Sequence, residues 1–587
     1  MSSVEHDIVI RGGTIVDGSG NPAFTGDVAI DGEWVSQVGT VTGNGRCEID
    51  ATGLLVTPGF TDIHTHYDGQ LIWSEYLVPS SNHGVTTVVT GNCGIGFAPC
   101  RPADQSKLIE LMEGVEDIPE AVTSAGLDWS WETFPEFMDA AERRGHDIDY
   151  AVMVPHSALR VYVMGDRAIR HEAATPEDLE AMKALMREAL EAGAAGIGTS
   201  RAYVHKSTSG ELVPTYDVGE VELQALGQAM SEVDKGVFQM IPAVTGLPPV
   251  GDFDIMRRIS EQSGRRVTFT SAQASRAPYE YRELMAALGD ANANGAKMTA
   301  QMFPRPIGLM IGLTATANPF CMTPAWQEIA DLQLAEKVAK MREPDMRDRL
   351  LHEDALDPKH PLFPLARNFG QLFPLDPDAP SYEPDPATSM QALADSAGVP
   401  VEEYVYDRLL DDEGRNLMIC ALGNYSLYNL DHVIEMLDDP NVVVGLGDGG
   451  AHYGMICDAS YPTTAMTHWV RDRDGTKFSI EAMVKTLARD PAEVFGLEDR
   501  GLLQPGYRAH VNLIDHDRLK LFRPEIVNDL PGGGRRLHQR AEGYVMTIVN
   551  GKVIRENDEA VAGALPGRLL RGPQMPQSMS AQAEAAE

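Results

Sequence analysis

Residues 54–66 read Leu54-Leu55-Val56-Thr57-Pro58-Gly59-Phe60-Thr61-Asp62-Ile63-His64-Thr65-His66, an apolar run that ends by presenting two histidines two positions apart. On an extended strand, residues i and i+2 point to the same side. Two imidazoles side by side at a strand end make half of a metal site, and neutral imidazole suits zinc, iron or nickel. A bare His-x-His is common enough to mean only two histidines at a loop. Here it follows Pro58-Gly59, with Asp62 upstream and Tyr67-Asp68 just after, which favours the metal reading.

Working outward, residues 7–57 fall into short apolar runs separated by turns. Gly12-Gly13 and Asp31-Gly32 between such runs are hairpin signals. The same character returns near the other end, where Ile548-Val-Asn-Gly-Lys-Val-Ile echoes Ile8-Val-Ile-Arg-Gly-Gly-Thr-Ile-Val. One small β-sandwich built from both chain ends is therefore expected, from 1–57 and 501–557, with 58–500 inserted between them.

That middle alternates strands with helical stretches. Eight strand ends are legible: 59–66, 86–93, 150–156, 195–201, 237–243, 267–273, 297–305 and 442–448. Helical patterns at 176–192, 219–233 and 279–294 lie between them. Eight strands with helical crossovers predict an α/β fold, a (β/α)8 TIM-like barrel. No G-x-G-x-x-G follows a strand, which argues against an open dinucleotide-binding sheet. Residues 307–440 are too many for an ordinary barrel connection. They are expected to form an insertion over the barrel mouth or against a partner subunit, so a homo-oligomer stays open. The tail, 558–587, reads as polar and frayed from about 567.

Composition narrows the partners. The chain has 587 residues, 43% hydrophobic and 23% charged, ordinary values for a globular protein. A net charge of −38 opposes nucleic acid as a ligand. No basic, apolar leader opens the chain and no apolar run reaches the length of a membrane span, so a cytoplasmic protein without membrane contact is expected. Six irregularly spaced cysteines do not form a disulfide framework.

In a barrel of this kind the strand C-termini and the following loops carry the chemistry. Strand one brings His64 and His66. Strand two ends in Gly91-Asn-Cys93-Gly-Ile-Gly, where a thiolate could reach a metal or the cysteine could simply be buried. Strand three ends in Pro155-His156 with Arg160 four residues on. Strand eight runs into Gly447-Asp448-Gly-Gly-Ala-His452. A carboxylate set directly after an apolar strand, among glycines, is poorly explained by packing. It can bind a metal and accept a proton from water. Arg160, Arg201, Arg276 and Arg305 each follow a strand. Guanidinium groups gathered at one end suggest a small-molecule substrate bearing a carboxylate, although any one of them could pair locally. Phe303, Phe320, Trp326, Tyr425 and Tyr428 could line an acyl pocket or pack in a core.

With these motifs in hand, the chain resembles the amidohydrolase superfamily, and within it the D-aminoacylase-like (N-acyl-D-amino-acid deacylase) branch. The resemblance runs over roughly residues 7–557, and Gly501-Leu-Leu-Gln-Pro-Gly-Tyr-Arg-Ala-His-Val-Asn-Leu-Ile-Asp515 adds to it. It implies zinc, as one or two divalent ions, held by His64, His66, Cys93 and Asp448. Asp448 would also be the general base in hydrolysis of an N-acyl amino acid by activated water. His156, Arg160, Arg201, Arg276, Arg305 and His452 are the candidate substrate-binding residues.

The sequence departs from that branch at two strands. The family supplies further histidines from strands five and six and a lysine after the latter. Here strand five reads Val237-Phe-Gln-Met-Ile and strand six Val267-Thr-Phe-Thr-Ser-Ala-Gln, without either. Gln239, Gln273, His156, His205 or His452 could complete the site, with His156 and His452 favoured. Lactam, carbamate, ester or deamination chemistry on the same scaffold is the alternative reading, and a metal-depleted binding protein the third.

Overall fold

The computed structural model describes residues 5–243, 250–360 and 362–577. Among them, eight parallel strands follow one another around a barrel: Phe60–Thr65, Val85–Thr90, Asp149–Pro155, Gly196–Ser200, Val237–Ile241, Arg266–Thr270, Met298–Met302 and Val442–Val444. All eight expected strands are present. Their apolar, β-branched character suits strands buried on both faces. Each pairs with its neighbour in parallel register, for example Gln239 with Gly198 on one side and Thr268 on the other. Strands eight and one meet at their C-terminal ends, where Asp448 N–H donates to His64 O (3.0 Å) and His66 N–H to Gly449 O (2.7 Å).

The outer helices include Pro176–Glu191, Glu220–Val233, Glu280–Ala293 and Ile480–Val494. The first shows why such segments start where they do. Thr175 caps it, Asp178 answers from the third position, and Pro176 occupies the first turn.

Both chain ends share one nine-stranded sheet among the described residues. Leu55–Pro58 pairs antiparallel with Val511–Ile514 and in parallel with the end of Glu5–Ile15, so it joins the two halves. Their apolar faces mix in one core, where Ile10, Val28, Ile30 and Val56 pack with Val511, Leu513 and Ile548.

Residues 307–423 contain a three-stranded sheet (Ile307–Ile311, Met418–Gly423, Leu372–Pro374) and short helices around a separate apolar core. This unit rests on the barrel loops: Asn424 Nδ2 donates to Phe303 O, and Gln273 N–H to Asn424 Oδ1. Phe320 and Trp326 are buried inside its core rather than offered to a ligand, and Phe303 and Tyr425 are buried in the main core.

The tail differs from expectation. Residues 567–577 are tied to the N-terminal end of the barrel through Gly567 N–H to His146 O, Leu570 N–H to Tyr150 O and Gln574 N–H to Gly496 O. The expectation of fraying came from polar composition, but these contacts are made by backbone, which composition does not report. Residues 578–587 lie outside the described residues. Among the described residues, no helix is long and apolar enough to cross a membrane.

Candidate metal centre

Four side chains from three strand ends converge. Cys93 Sγ lies 3.4 Å from His64 Nε2 and 3.6 Å from His66 Nε2. Asp448 Oδ1 lies 3.5 Å and 3.6 Å from the same two nitrogens. Zinc–ligand bonds of about 2.0–2.3 Å arranged tetrahedrally give ligand–ligand edges of about 3.3–3.8 Å. His64, His66 and Cys93 bring their donor atoms within 4.8 Å of one another, a set that could hold one divalent ion, and Asp448 approaches it from the side of the two imidazoles.

The backbone that aims these groups is unusual. Cys93, Asp448 and His452 all adopt left-handed conformations, with φ of 57°, 49° and 52°. Non-glycine residues held there carry strain that a functional position can justify. The Cys93 turn passes so close to strand three that a Cβ on Gly91 would sit 2.3 Å from Met153 O. Asn92 anchors the turn by donating to the carbonyls of Ile63, Thr65 and Val89. The Gly-Asn-Cys-Gly motif thus reads as a hinge that brings a thiol over strand one.

The electrostatics point the same way. Burial pushes His64 down to about 4 and His66 to about 3, so both rings are neutral, the form that binds metal. His64 Nδ1 bonds Gln301 Oε1 at 2.8 Å. Since the amide oxygen can only accept, the proton sits on Nδ1 and the Nε2 lone pair faces Cys93 and Asp448. Burial raises Cys93, Glu116 and Asp448 above their ordinary values, and it lifts Asp62 to about 8 and Asp68 to about 6. Lysine and arginine are absent from the causes of these shifts. The cluster holds acids in excess of cations, which a divalent ion would offset.

His205 and His452 stand at the edge. His452 is 6.5 Å from the His66 ring, centre to centre. His205 Nδ1 bonds Ser200 Oγ at 2.8 Å. Burial, then His452, His66 and His64, hold its pKa down at about 3. Gln239 lies beneath Cys93, accepting its N–H through Oε1, and its own amide nitrogen has no partner among the described residues.

Other expected residues are placed elsewhere. His156 bonds Thr199 Oγ1 through Nδ1 and Glu222 through Nε2, leaving neither nitrogen for a metal or a substrate. Arg160 also closes onto Glu222. Arg305 is fully buried, paired with Asp458 at 3.0 Å and stacked on Tyr382, so it is a structural cation and not an anion receptor. Gln273 spends both ends of its amide on Ser426 N–H and Pro278 O. Arg201 pairs with Asp252 at 3.2 Å while remaining partly exposed. Arg276 is exposed and carries no ion pair among the described residues. Counting arginines along the sequence could not reveal which already had partners.

A sequence profile of the amidohydrolase family matches residues 48–555. The chain belongs to the amidohydrolase family. Over 210 residues it is 35% identical to the D-aminoacylase of Alcaligenes xylosoxydans xylosoxydans, covering 35% of this chain and 40% of that one. Over 224 residues it is 36% identical to the N-acyl-D-aspartate deacylase of the same organism, covering 38% and 41%. The chain thus spans about two fifths of the length of these relatives. An uncharacterized protein of Mycobacterium tuberculosis is 28% identical across 94% of this chain and 92% of its own. Among solved structures, a D-aminoacylase (TM-score 0.64, 22% identity) covers 96% of this amidohydrolase and is itself covered completely. The N-acyl-D-glutamate deacylase of Bordetella bronchiseptica, complexed with zinc and a phosphonate inhibitor, has the same TM-score at 21% identity, covering 97% and 100%. Both share the fold.

Proposed function

We propose that this amidohydrolase cleaves the amide bond of N-acyl amino acids or similar small amides, with one zinc-like divalent ion held by His64, His66, Cys93 and Asp448. The clustering of His64, His66 and Cys93 within 4.8 Å of one another, with Asp448 Oδ1 3.5 Å and 3.6 Å from the two imidazoles, carries the proposal. The relatives named as D-aminoacylase and N-acyl-D-aspartate deacylase support the substrate class, and the zinc complex of the N-acyl-D-glutamate deacylase supports the metal.

When bound, the ion would lower the pKa of a water molecule and polarise the acyl carbonyl. The rest falls to the chain. His64, His66 and Cys93 are sealed from solvent, whereas the side chains of Asp448 and His452 are 20% and 18% exposed. Substrate therefore enters over Asp448. Its Oδ1 faces the imidazoles, and Oδ2 is left to take a proton from the attacking water and return it to the leaving nitrogen. Burial, opposed by His64 and His452, raises its proton affinity, which favours that role. Arg276, exposed and without an ion pair among the described residues, and Arg201, partly exposed beside Asp252, are the basic groups offered to a substrate carboxylate.

The experiment is metal analysis together with Asp448→Asn. We expect about one divalent ion per chain, turnover of an N-acyl amino acid panel by the native protein, and loss of turnover in a folded Asp448→Asn. A chain that takes up no metal, or a variant that still turns over, would overturn this assignment.

A further inference from the structure

Glu116 ends the helix Gln105–Glu116, in the loop after strand two. The helix packs through Leu108, Leu111, Met112 and Val115 into the main core. Glu116 is also buried, at 1% exposure, yet no lysine or arginine pairs with it among the described residues. Its Oε1 lies 3.4 Å from His66 Nδ1, and its Oε2 lies 3.6 Å from His452 Nε2. Glu116 Oε1 and His66 Nδ1 face each other, and neither has a hydrogen-bond partner among the described residues. A buried acid without a partner is costly, so its placement needs a reason.

Holding the loops together does not require the carboxyl group. The Glu116 carbonyl accepts His452 N–H. The next residue, Asp117, accepts Gly454 N–H at 2.8 Å and the Thr316 hydroxyl. Backbone and Asp117 thus fasten the loop after strand eight, and the Glu116 carboxyl group is left between two imidazoles.

We propose that Glu116 is a positioning residue that holds His66 and His452 on one carboxyl group, aiming His66 Nε2 at Cys93 and Asp448 while keeping His452 beside the substrate path. The proposal rests on the metal-centre reading above. It makes the two histidines of the His-x-His pair unequal. His64 is backed by the neutral amide of Gln301, and His66 is backed by an acid. A carboxylate behind an imidazole makes the ring a better donor to a metal. The 3.4 Å separation between Glu116 Oε1 and His66 Nδ1 is short enough that a small ring rotation would bring the two to hydrogen-bond length.

The test uses cobalt(II) as probe, competed against a chelator, with the native protein, Glu116→Gln and His452→Ala. Glu116→Gln keeps the volume, the carbonyl clamp and Asp117. We expect it to bind cobalt about 10–100-fold more weakly, with a shifted visible spectrum and a metal-free melting temperature close to native. His452→Ala should keep cobalt affinity and raise KM for an N-acyl amino acid more than it lowers kcat. Native cobalt affinity with an unshifted spectrum in Glu116→Gln overturns the positioning role and leaves the metal centre standing. A native protein that takes up no cobalt overturns both. Should Glu116→Gln fail to fold, Glu116→Asp is read by the same criteria: an intermediate affinity with a shifted band supports the role, and native values remove it.

Discussion

Cys93 is the residue at which chemistry and backbone can be separated. Its left-handed φ of 57° is set by Gly91, Asn92 and Gly94, and not by sulfur. Cys93→Ser should therefore fold normally. A neutral hydroxyl is a poor replacement for thiolate toward zinc. We expect the variant to lose most of its metal while keeping its melting temperature without metal, as elemental mass spectrometry and thermal denaturation would report. Full metal occupancy would reduce Cys93 to packing. That His64, His66, Cys93 and Asp448 stand at strand ends was legible in the sequence; for Cys93 the residues left burial open, and the resemblance alone pointed to a metal. Glu116 was not legible. It is the last residue of Leu108-Ile-Glu-Leu-Met-Glu-Gly-Val-Glu116, an ordinary amphipathic pattern, and only the path of the loop turns it toward His66. The arginines erred in the opposite direction, since Glu222 and Asp458 lie 62 and 153 residues from Arg160 and Arg305.

At the scale of elements, the unit at 307–423 and the segment following strand eight are joined through Glu383. It accepts hydrogen bonds from His468 Nε2 (2.9 Å), Arg473 Nε (2.8 Å) and Leu430 N–H (2.9 Å). Burial alone would raise its pKa, but the His468 and Arg473 bonds prevail and hold it at about 2, below the ordinary 4.5. Because the folded value is the lower one, this contribution is complete above pH 4.5 and fades as pH falls toward 2. Glu383→Gln should therefore cost up to about 3 kcal/mol at neutral pH and almost nothing near pH 2. Urea midpoints at the two pH values decide it, and a pH-independent difference would contradict it. Strands were read well at this scale because β-branched apolar runs between glycines have few other uses. The helices inside 307–423 were not resolved from sequence. They are mostly four to nine residues long, too short for a periodic signal to separate them from loops.

Across the whole molecule, barrel, end sheet and tail are bound at one buried acid. Asp149, at the start of strand three, takes Arg500 Nη1 at 2.8 Å and lies 3.3 Å from His510 Nε2. Its other oxygen accepts Asn550 Nδ2 (2.8 Å) and Arg568 N–H (2.9 Å). Asp149→Asn would remove one of the two carboxylates paired with the buried Arg500, leaving only Asp499, 2.9 Å from its Nε. The expected cost is about 3–5 kcal/mol, read as a lower denaturation midpoint. A change within error would mean that Asp499 alone satisfies Arg500. The pairing of the two chain ends was legible because both carry the same strand grammar. The anchoring of the tail was not, because it is written in backbone hydrogen bonds.

The join between strands eight and one has a consequence for the order in which this molecule completes itself. Asp448 and His66 supply both the amide protons that shut the cylinder and two side chains that face each other at the proposed metal centre. The hoop is fastened by its own clasp. In the proposed metal centre, His64, His66 and Asp448 would be drawn together by the ion they hold, which would also tighten the last seam of the barrel. A sequence change that loosens that seam would blunt the chemistry without touching a ligand.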